Sequence, residues 1–188
     1  MTRGTLFLVT GASGSGKDSI IEAARQALGG DSAFAFPRRY VTRPGAAAGE
    51  DYVPVSPEAF RAMDARGDFA LTWEAHGLAY GVPSSIEESL AEGRSVIVNV
   101  SRTVIDTARR RHSPVRVLVI HAPPEVLAER LRRRGRESAA EIAERLRGAA
   151  VPPPEGDDVT VIDNSGPLAN AVERFLGALK EARPVPAG

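Results

Sequence analysis

The stretch Gly11-Ala12-Ser13-Gly14-Ser15-Gly16-Lys17 holds the residues of this chain best suited to chemistry. Its glycines let successive backbone N–H groups turn to one side and form a concave nest for an anion. Lys17 adds a mobile charge of the kind that reaches the β- and γ-phosphates of a nucleotide. A helix starting there contributes the positive end of its dipole. The expected ligand is ATP, bound by Gly11, Ala12, Ser13, Gly14, Ser15, Gly16, Lys17, Asp18 and Ser19. The usual loop places a Ser or Thr hydroxyl after the lysine as a ligand for Mg²⁺. Asp18 stands there instead, and Ser19 follows. A carboxylate is a hard oxygen donor suited to Mg²⁺, so Asp18 is the expected metal ligand, directly or through water. The competing reading is a helix N-terminal acid favoured by the dipole.

Such a loop needs a strand before it and a helix after it. Residues 5–9 (Thr-Leu-Phe-Leu-Val) read as a buried strand, and residues 17–28 as a helix closed by Gly29-Gly30. Short strands are expected over 33–36, 69–73 and 78–80, the last two paired around Gly77. Ser56 and Pro57 open a helix as N-cap and first residue. A helix over 83–91, a buried strand over 95–100, a basic helix over 102–111 and a buried strand over 115–120 follow. Helices are expected over 123–133 and 139–149, separated by Gly135 and ended by Val151-Pro152-Pro153-Pro154. Residues 159–162 are the last strand and 168–180 the last helix. The small-residue loop 45–49 is expected to be mobile and the tail 183–188 disordered.

Strands alternating with helices predict an α/β fold, a parallel sheet core with helices on both faces. Residues 38–82 break that rhythm and read as an insertion with its own small sheet. One domain thus divides into a core (1–37, 83–133 and 150–182), an insertion (38–82) and a helix–glycine–helix lid (134–149).

The 188 residues suffice for one domain with a real core. With 24 basic and 24 acidic residues no global field favours nucleic acid or a membrane surface, and neither is an expected partner. The absence of cysteine excludes disulfides, thiolate metal sites and thiol nucleophiles. No signal-peptide pattern and no membrane-spanning run is visible, so the expected location is the cytoplasm. A monomer and a homodimer are both compatible with the sequence.

Three further groups could act beside the loop. Arg38, Arg39, Tyr40, Thr42 and Arg43, with Tyr52 and Tyr80, could clasp a phosphate, arginine bidentately; a solvated surface is the alternative. Arg130, Arg132, Arg133, Arg134, Arg136 and Arg145 could bring cations to a phosphoryl group in flight. A solvated helix face is the alternative here too, and Arg132 and Arg133 are assigned to solvent. Asn99, Ser101 and Arg102 follow a central strand, where ligands gather in open α/β sheets; a polar strand terminus is the plain reading. His76, near the acceptor segment, is assigned a surface or structural role, and His112 and His121 carry no partner motif.

Nearly the whole chain resembles the guanylate-kinase-like branch of the nucleoside monophosphate kinases. The resemblance rests on the loop, Thr42-Arg43-Pro44, Gly49-Glu50-Asp51-Tyr52, residues 55–60, Gly77-Leu78-Ala79-Tyr80-Gly81, residues 130–135 and residues 141–146. It implies a core, a lid and an acceptor-binding insertion that close over two phosphorylated substrates. It implies Arg43, Tyr52 and Tyr80 at the acceptor phosphate, Arg130, Arg134 and Arg145 at the transferring phosphates, and Asn164 near the adenine pocket.

Guanylate kinases read guanine with a glutamate in a Phe-Leu-Glu segment and an aspartate after the central strand. The corresponding segments here are Phe69-Ala70-Leu71 and Asn99-Val100-Ser101. A second acceptor-phosphate arginine is also missing, since Gly45 follows Pro44; Arg38, Arg39 and Arg102 are the candidates to replace it. The pattern resembles a narrower family, the ribose 1,5-bisphosphate phosphokinases of bacterial phosphonate degradation. It does so through Gly16-Lys17-Asp18-Ser19, residues 39–44, residues 69–73, residues 77–82, residues 98–102 and Arg134-Gly135-Arg136-Glu137. That resemblance implies transfer from ATP to ribose 1,5-bisphosphate, giving ADP and 5-phosphoribosyl 1-diphosphate. Arg39, Arg43, Tyr52, Tyr80, Asn99 and Arg102 are the residues expected around the substrate.

The attacking atom would be a phosphate oxygen already ionised at neutral pH, so no general base is required. The obstacle is charge: at about 4 Å each like-charged pair costs about 4 kcal/mol at an effective dielectric near 20. Lys17, Arg130, Arg134 and Arg145 are the expected catalytic cations. Two other readings stand beside this one: a guanylate kinase with altered base contacts, and a binding module that no longer catalyses.

Overall fold

Leu6, Phe7, Leu8 and Val9 are all fully buried, so the strand that carries them must be covered on both faces. The computed structural model describes residues 2–45, 51–135 and 137–182. The expectations for residues 46–50, for Arg136 and for the tail 183–188 lie outside the described residues.

The chain runs β1 (Leu6–Gly11), α1 (Lys17–Leu28), β2 (Phe34–Ala35), β3 (Arg39–Val41), β4 (Tyr52–Pro54), α2 (Pro57–Ala65), β5 (Phe69–Ala75) and β6 (Leu78–Pro83). It continues with α3 (Ile86–Ala91), β7 (Ser95–Asn99), α4 (Ile105–Arg111), β8 (Val115–His121), α5 (Pro124–Arg134), α6 (Ala139–Ala149), β9 (Val159–Asp163) and α7 (Leu168–Glu181). The main sheet is parallel, in the order β2-β7-β1-β8-β9.

Alternation along β1 divides the core into two layers. Phe7 and Val9 join Ile97, Leu118, Ile120 and Ile162 against Ile20 and Ala24 of α1 and Phe175 and Leu179 of α7. Leu6 and Leu8 join Val96, Val98, Val117 and Val119 against Leu90 of α3 and Ile105 of α4. Leu71, Trp73 and Val82 enter this second layer. They anchor a second, four-stranded sheet, ordered β4-β3-β6-β5, to the core. In it β3 and β4 are parallel and the other pairs antiparallel.

Caps mark several of the element boundaries. Gly29 closes α1 in the left-handed region, and Ser56 Oγ accepts the Ala59 N–H at 3.1 Å to open α2. Two expectations change. Pro83 still pairs with Phe69, so β6 runs through it and α3 begins only at Ile86. The basic segment opens as a 3₁₀ turn, Arg102–Val104, capped by Ser101, before α4.

Candidate active site

The loop between β1 and α1 lies at the carboxyl end of the sheet, where such sheets bind ligands. Its two ends are closed to any residue but glycine. A Cβ on Gly11 (φ 151°) would stand 2.3 Å from Ile120 O, and one on Gly16 (φ 94°) would stand 2.4 Å from Asn164 Nδ2. Lys17 folds back over the loop, donating from Nζ to Gly11 O at 2.8 Å and Ala12 O at 2.9 Å. Its pKa is lowered to about 8, chiefly by burial, with the Asp18 charge opposing and Arg39, Arg134 and Arg102 adding to the depression. Asp18 Oδ1 accepts from Asn99 Nδ2 at 2.8 Å, so the acid after the lysine is fixed by the end of β7. Ser19 is exposed.

A cleft of about 530 Å³ opens above the loop. Its walls carry Lys17, Arg39, Arg43, Arg134 and Arg145, five cations, against three carboxylates, Asp18, Glu137 and Glu141. Across from the loop Arg39 lies over the Tyr80 ring at 5.9 Å, and Tyr80 stacks on Trp73 at 5.3 Å. Arg43 lies over the Tyr52 ring at 5.7 Å. From the helical side Arg145 Nη1 donates to Ser13 Oγ at 2.9 Å, and its Nη2 pairs with Glu137 at 3.3 Å.

Several residues expected at the two substrates do not line this cleft. Arg130 lies against the loop's backbone, 2.7 Å from Asn164 O and 3.4 Å from both Gly14 O and Ser15 O. Asn164 is 3% exposed and donates Nδ2 to Ser15 O at 2.7 Å, which makes it a strut beneath the loop rather than a wall of the cleft. Tyr52 is 1% exposed and its hydroxyl donates to Gly45 O. Arg102 donates to Gly148 O, Val151 O and Pro152 O, tying the 3₁₀ turn to the end of α6. Arg38 pairs with Asp51 at 2.5 Å and donates to Tyr52 O at 2.7 Å. Of the three candidates for the missing acceptor-phosphate arginine, Arg39 alone lines the cleft. Trp73, Glu137 and His76 line it as well, although the sequence did not mark them for it.

Among the described residues no three His, Asp or Glu side chains gather into a metal cage. A cation beside Asp18 would need phosphate oxygens and water to complete its shell, which is how Mg²⁺ is held and suits the single carboxylate next to the nest. Among the described residues no helix is long and apolar enough to cross a membrane.

A glycine nest, a lysine over it, a cationic cleft and a helix pair bringing arginine to the loop are the apparatus of a phosphotransferase. The chain belongs to the guanylate kinase family: the family model "Guanylate kinase" matches residues 3–166. Within that family it is similar to the protein named ribose 1,5-bisphosphate phosphokinase PhnN. The Rhodopseudomonas palustris protein of that name is 45% identical over 184 residues, 97% of this chain and 92% of its own. The one from Acidiphilium cryptum is 47% identical over 183 residues, 97% of this chain and 96% of its own. In fold it matches guanylate kinase from Anaplasma phagocytophilum, with a TM-score of 0.67 at 20% identity over 98% of this chain and 89% of that one.

Proposed function

We propose that this chain transfers the γ-phosphoryl group of ATP to the 1-phosphate of ribose 1,5-bisphosphate, giving ADP and 5-phosphoribosyl 1-diphosphate. One observation carries the reading. The cleft is lined by Arg39 and Arg43 together with the loop, while the segments where the family's guanine readers carry acids present Leu71, which is buried, and Ser101, which is half-buried. A site without carboxylates to accept from guanine's N–H groups at those two places cannot select that base strongly.

In the reaction an oxygen of the 1-phosphate bonds to the γ-phosphorus as the bond to the β–γ bridging oxygen breaks, and ADP leaves with the electron pair. No proton has to be removed first. Arg39 and Arg43, with Tyr80, hold the acceptor phosphate. Lys17, Arg134 and Arg145 offset the charge gathered on the moving group. Arg130 and Asn164 act through the loop whose shape they hold. Asp18, oriented by Asn99, would hold Mg²⁺ directly or through water, and the ion when bound would supply charge neutralisation for the nucleotide's phosphates. The second sheet and the α5–α6 pair support a division into core, acceptor lobe and closing lid.

The test is a coupled ADP-release assay across phosphorylated sugars and nucleoside monophosphates. The kcat/KM for ribose 1,5-bisphosphate is expected to exceed that for GMP by about a hundredfold or more; a preference for GMP overturns the reading. Asp18→Ala is expected to raise the Mg²⁺ concentration needed for half-maximal rate by about tenfold. An unchanged Mg²⁺ titration removes Asp18 from the metal site.

The low pKa of Lys17 gives a further expected result. In metal-free buffer bound phosphates favour its charged form, so the nucleotide complex must take up a proton whenever free Lys17 is partly neutral. Near pH 8 the uptake is expected to be about half a proton, and affinity to fall as pH rises through that value. Calorimetry in two buffers of different ionisation enthalpy measures the uptake, and Lys17→Met is expected to abolish it.

A further inference from the structure

β5 and β6 are joined by a two-residue turn, His76-Gly77, with Ala75 paired to Leu78. Both turn residues have positive φ, 53° and 72°. Turns of that form favour Asn, Asp or Gly at the first place, and histidine is among the few other residues that tolerate positive φ. What distinguishes its position is the cleft. His76 is exposed, lines the cleft, and also lines an adjoining cavity of about 630 Å³ on the side of α6. Ser101 borders both spaces too. Ser101 Oγ accepts from the Thr103 hydroxyl at 3.0 Å and the Thr103 N–H at 3.4 Å, which leaves its own proton to donate. The carboxylates facing the adjoining cavity are engaged, Glu141 by the Ser138 N–H and Glu144 by Arg147. Arg145 adds a cation to the same boundary.

The acceptor in the reading above carries two phosphates, and Arg39, Arg43 and Tyr80 account for one. Resting on that reading, we infer that His76 and Ser101 hold the other, the 5-phosphate, where the cleft meets the adjoining cavity. An imidazole N–H and a hydroxyl both donate to a phosphate oxygen, the imidazole in either protonation state. The pair is therefore what separates a bisphosphorylated sugar from an acceptor with one phosphate.

The experiment compares ribose 1,5-bisphosphate with ribose 1-phosphate as acceptors for the wild type, His76→Gly and Ser101→Ala. Glycine suits the turn, so His76→Gly is expected to keep the parent's thermal midpoint; His76→Asn, the residue the turn favours, is the second variant should glycine loosen the hairpin. Each substitution is expected to raise KM for the bisphosphate about tenfold, with kcat and the KM for ATP nearly unchanged. The KM for ribose 1-phosphate is expected to stay as it was. Equal losses on both acceptors, or none on either, overturn the assignment. A wild type that forms no product from ribose 1,5-bisphosphate overturns the proposed function itself, and the 5-phosphate seat with it.

Discussion

Lys17→Ala is expected to lower kcat about a thousandfold while leaving the thermal midpoint within a few degrees of the parent's, by about the amount small surface changes cause. The two effects separate because the ammonium does different work with and without charge beside it. In the folded chain it makes two hydrogen bonds to loop carbonyls, and removing it forfeits them. Yet its pKa is lowered to about 8, chiefly by burial, so holding the charge there also works against folding. Because the folded value lies below the unfolded one, that burden is fully present at neutral pH and is relieved as pH rises through about 8 toward 10.5. Truncation removes both the bonds and the burden. What it cannot replace is a cation against the β- and γ-phosphates in the transition state. Steady-state kinetics and thermal unfolding on the same preparation check the pair of results, and near-parental kcat would take Lys17 out of the catalytic set.

The second large effect concerns the lid arginines, which are expected to behave as two kinds. Arg134 lines the cleft from the end of α5 and is exposed, so little packing depends on it. Arg134→Ala should cut kcat about a hundredfold, with small changes in KM for ATP and in stability. Arg130 sits one turn back and spends its guanidinium on the carbonyls of Gly14, Ser15 and Asn164. Arg130→Ala should therefore appear first as weaker nucleotide binding and a lower thermal midpoint, since it leaves loop carbonyls without their donor. If the two substitutions gave the same kinetic signature, the distinction between a cation at the phosphates and a brace behind the loop would fail.

The nest was legible because its signal is local: a strand, glycines at fixed places, a lysine and a helix start within a few residues. The order of strands and helices was legible for a similar reason, since buried strands such as β1 and β7 read as nearly continuous apolar runs. The three-residue strands β3 and β4 were not, because so short a segment shows too little alternation, and β4 ends on a proline. Side-chain destinations were the other gap. Arg102 and Arg130 were marked as cations near phosphates, but a long guanidinium goes to whichever carbonyls the fold brings within reach, and those acceptors leave no trace in side-chain types. Asn164 illustrates the same limit: its neighbours in sequence say nothing of the loop lying above it. His76 was passed over because a lone histidine in a hairpin is ordinary; its position at the cleft depends on how β5 and β6 are docked to the core through Leu71, Trp73 and Val82.

The bond from Asn164 to Ser15 O spans 149 positions of the chain. It means that the heptapeptide at residues 11–17 does not own its conformation. Transplanted to another strand–helix junction it would keep its glycines and lysine and lose the donor to Ser15 O. A shortened chain stopping after α6 would retain every residue of the nest yet bind nucleotide poorly. During synthesis, too, full competence for ATP is expected only once Asn164, the residue after β9, has been made.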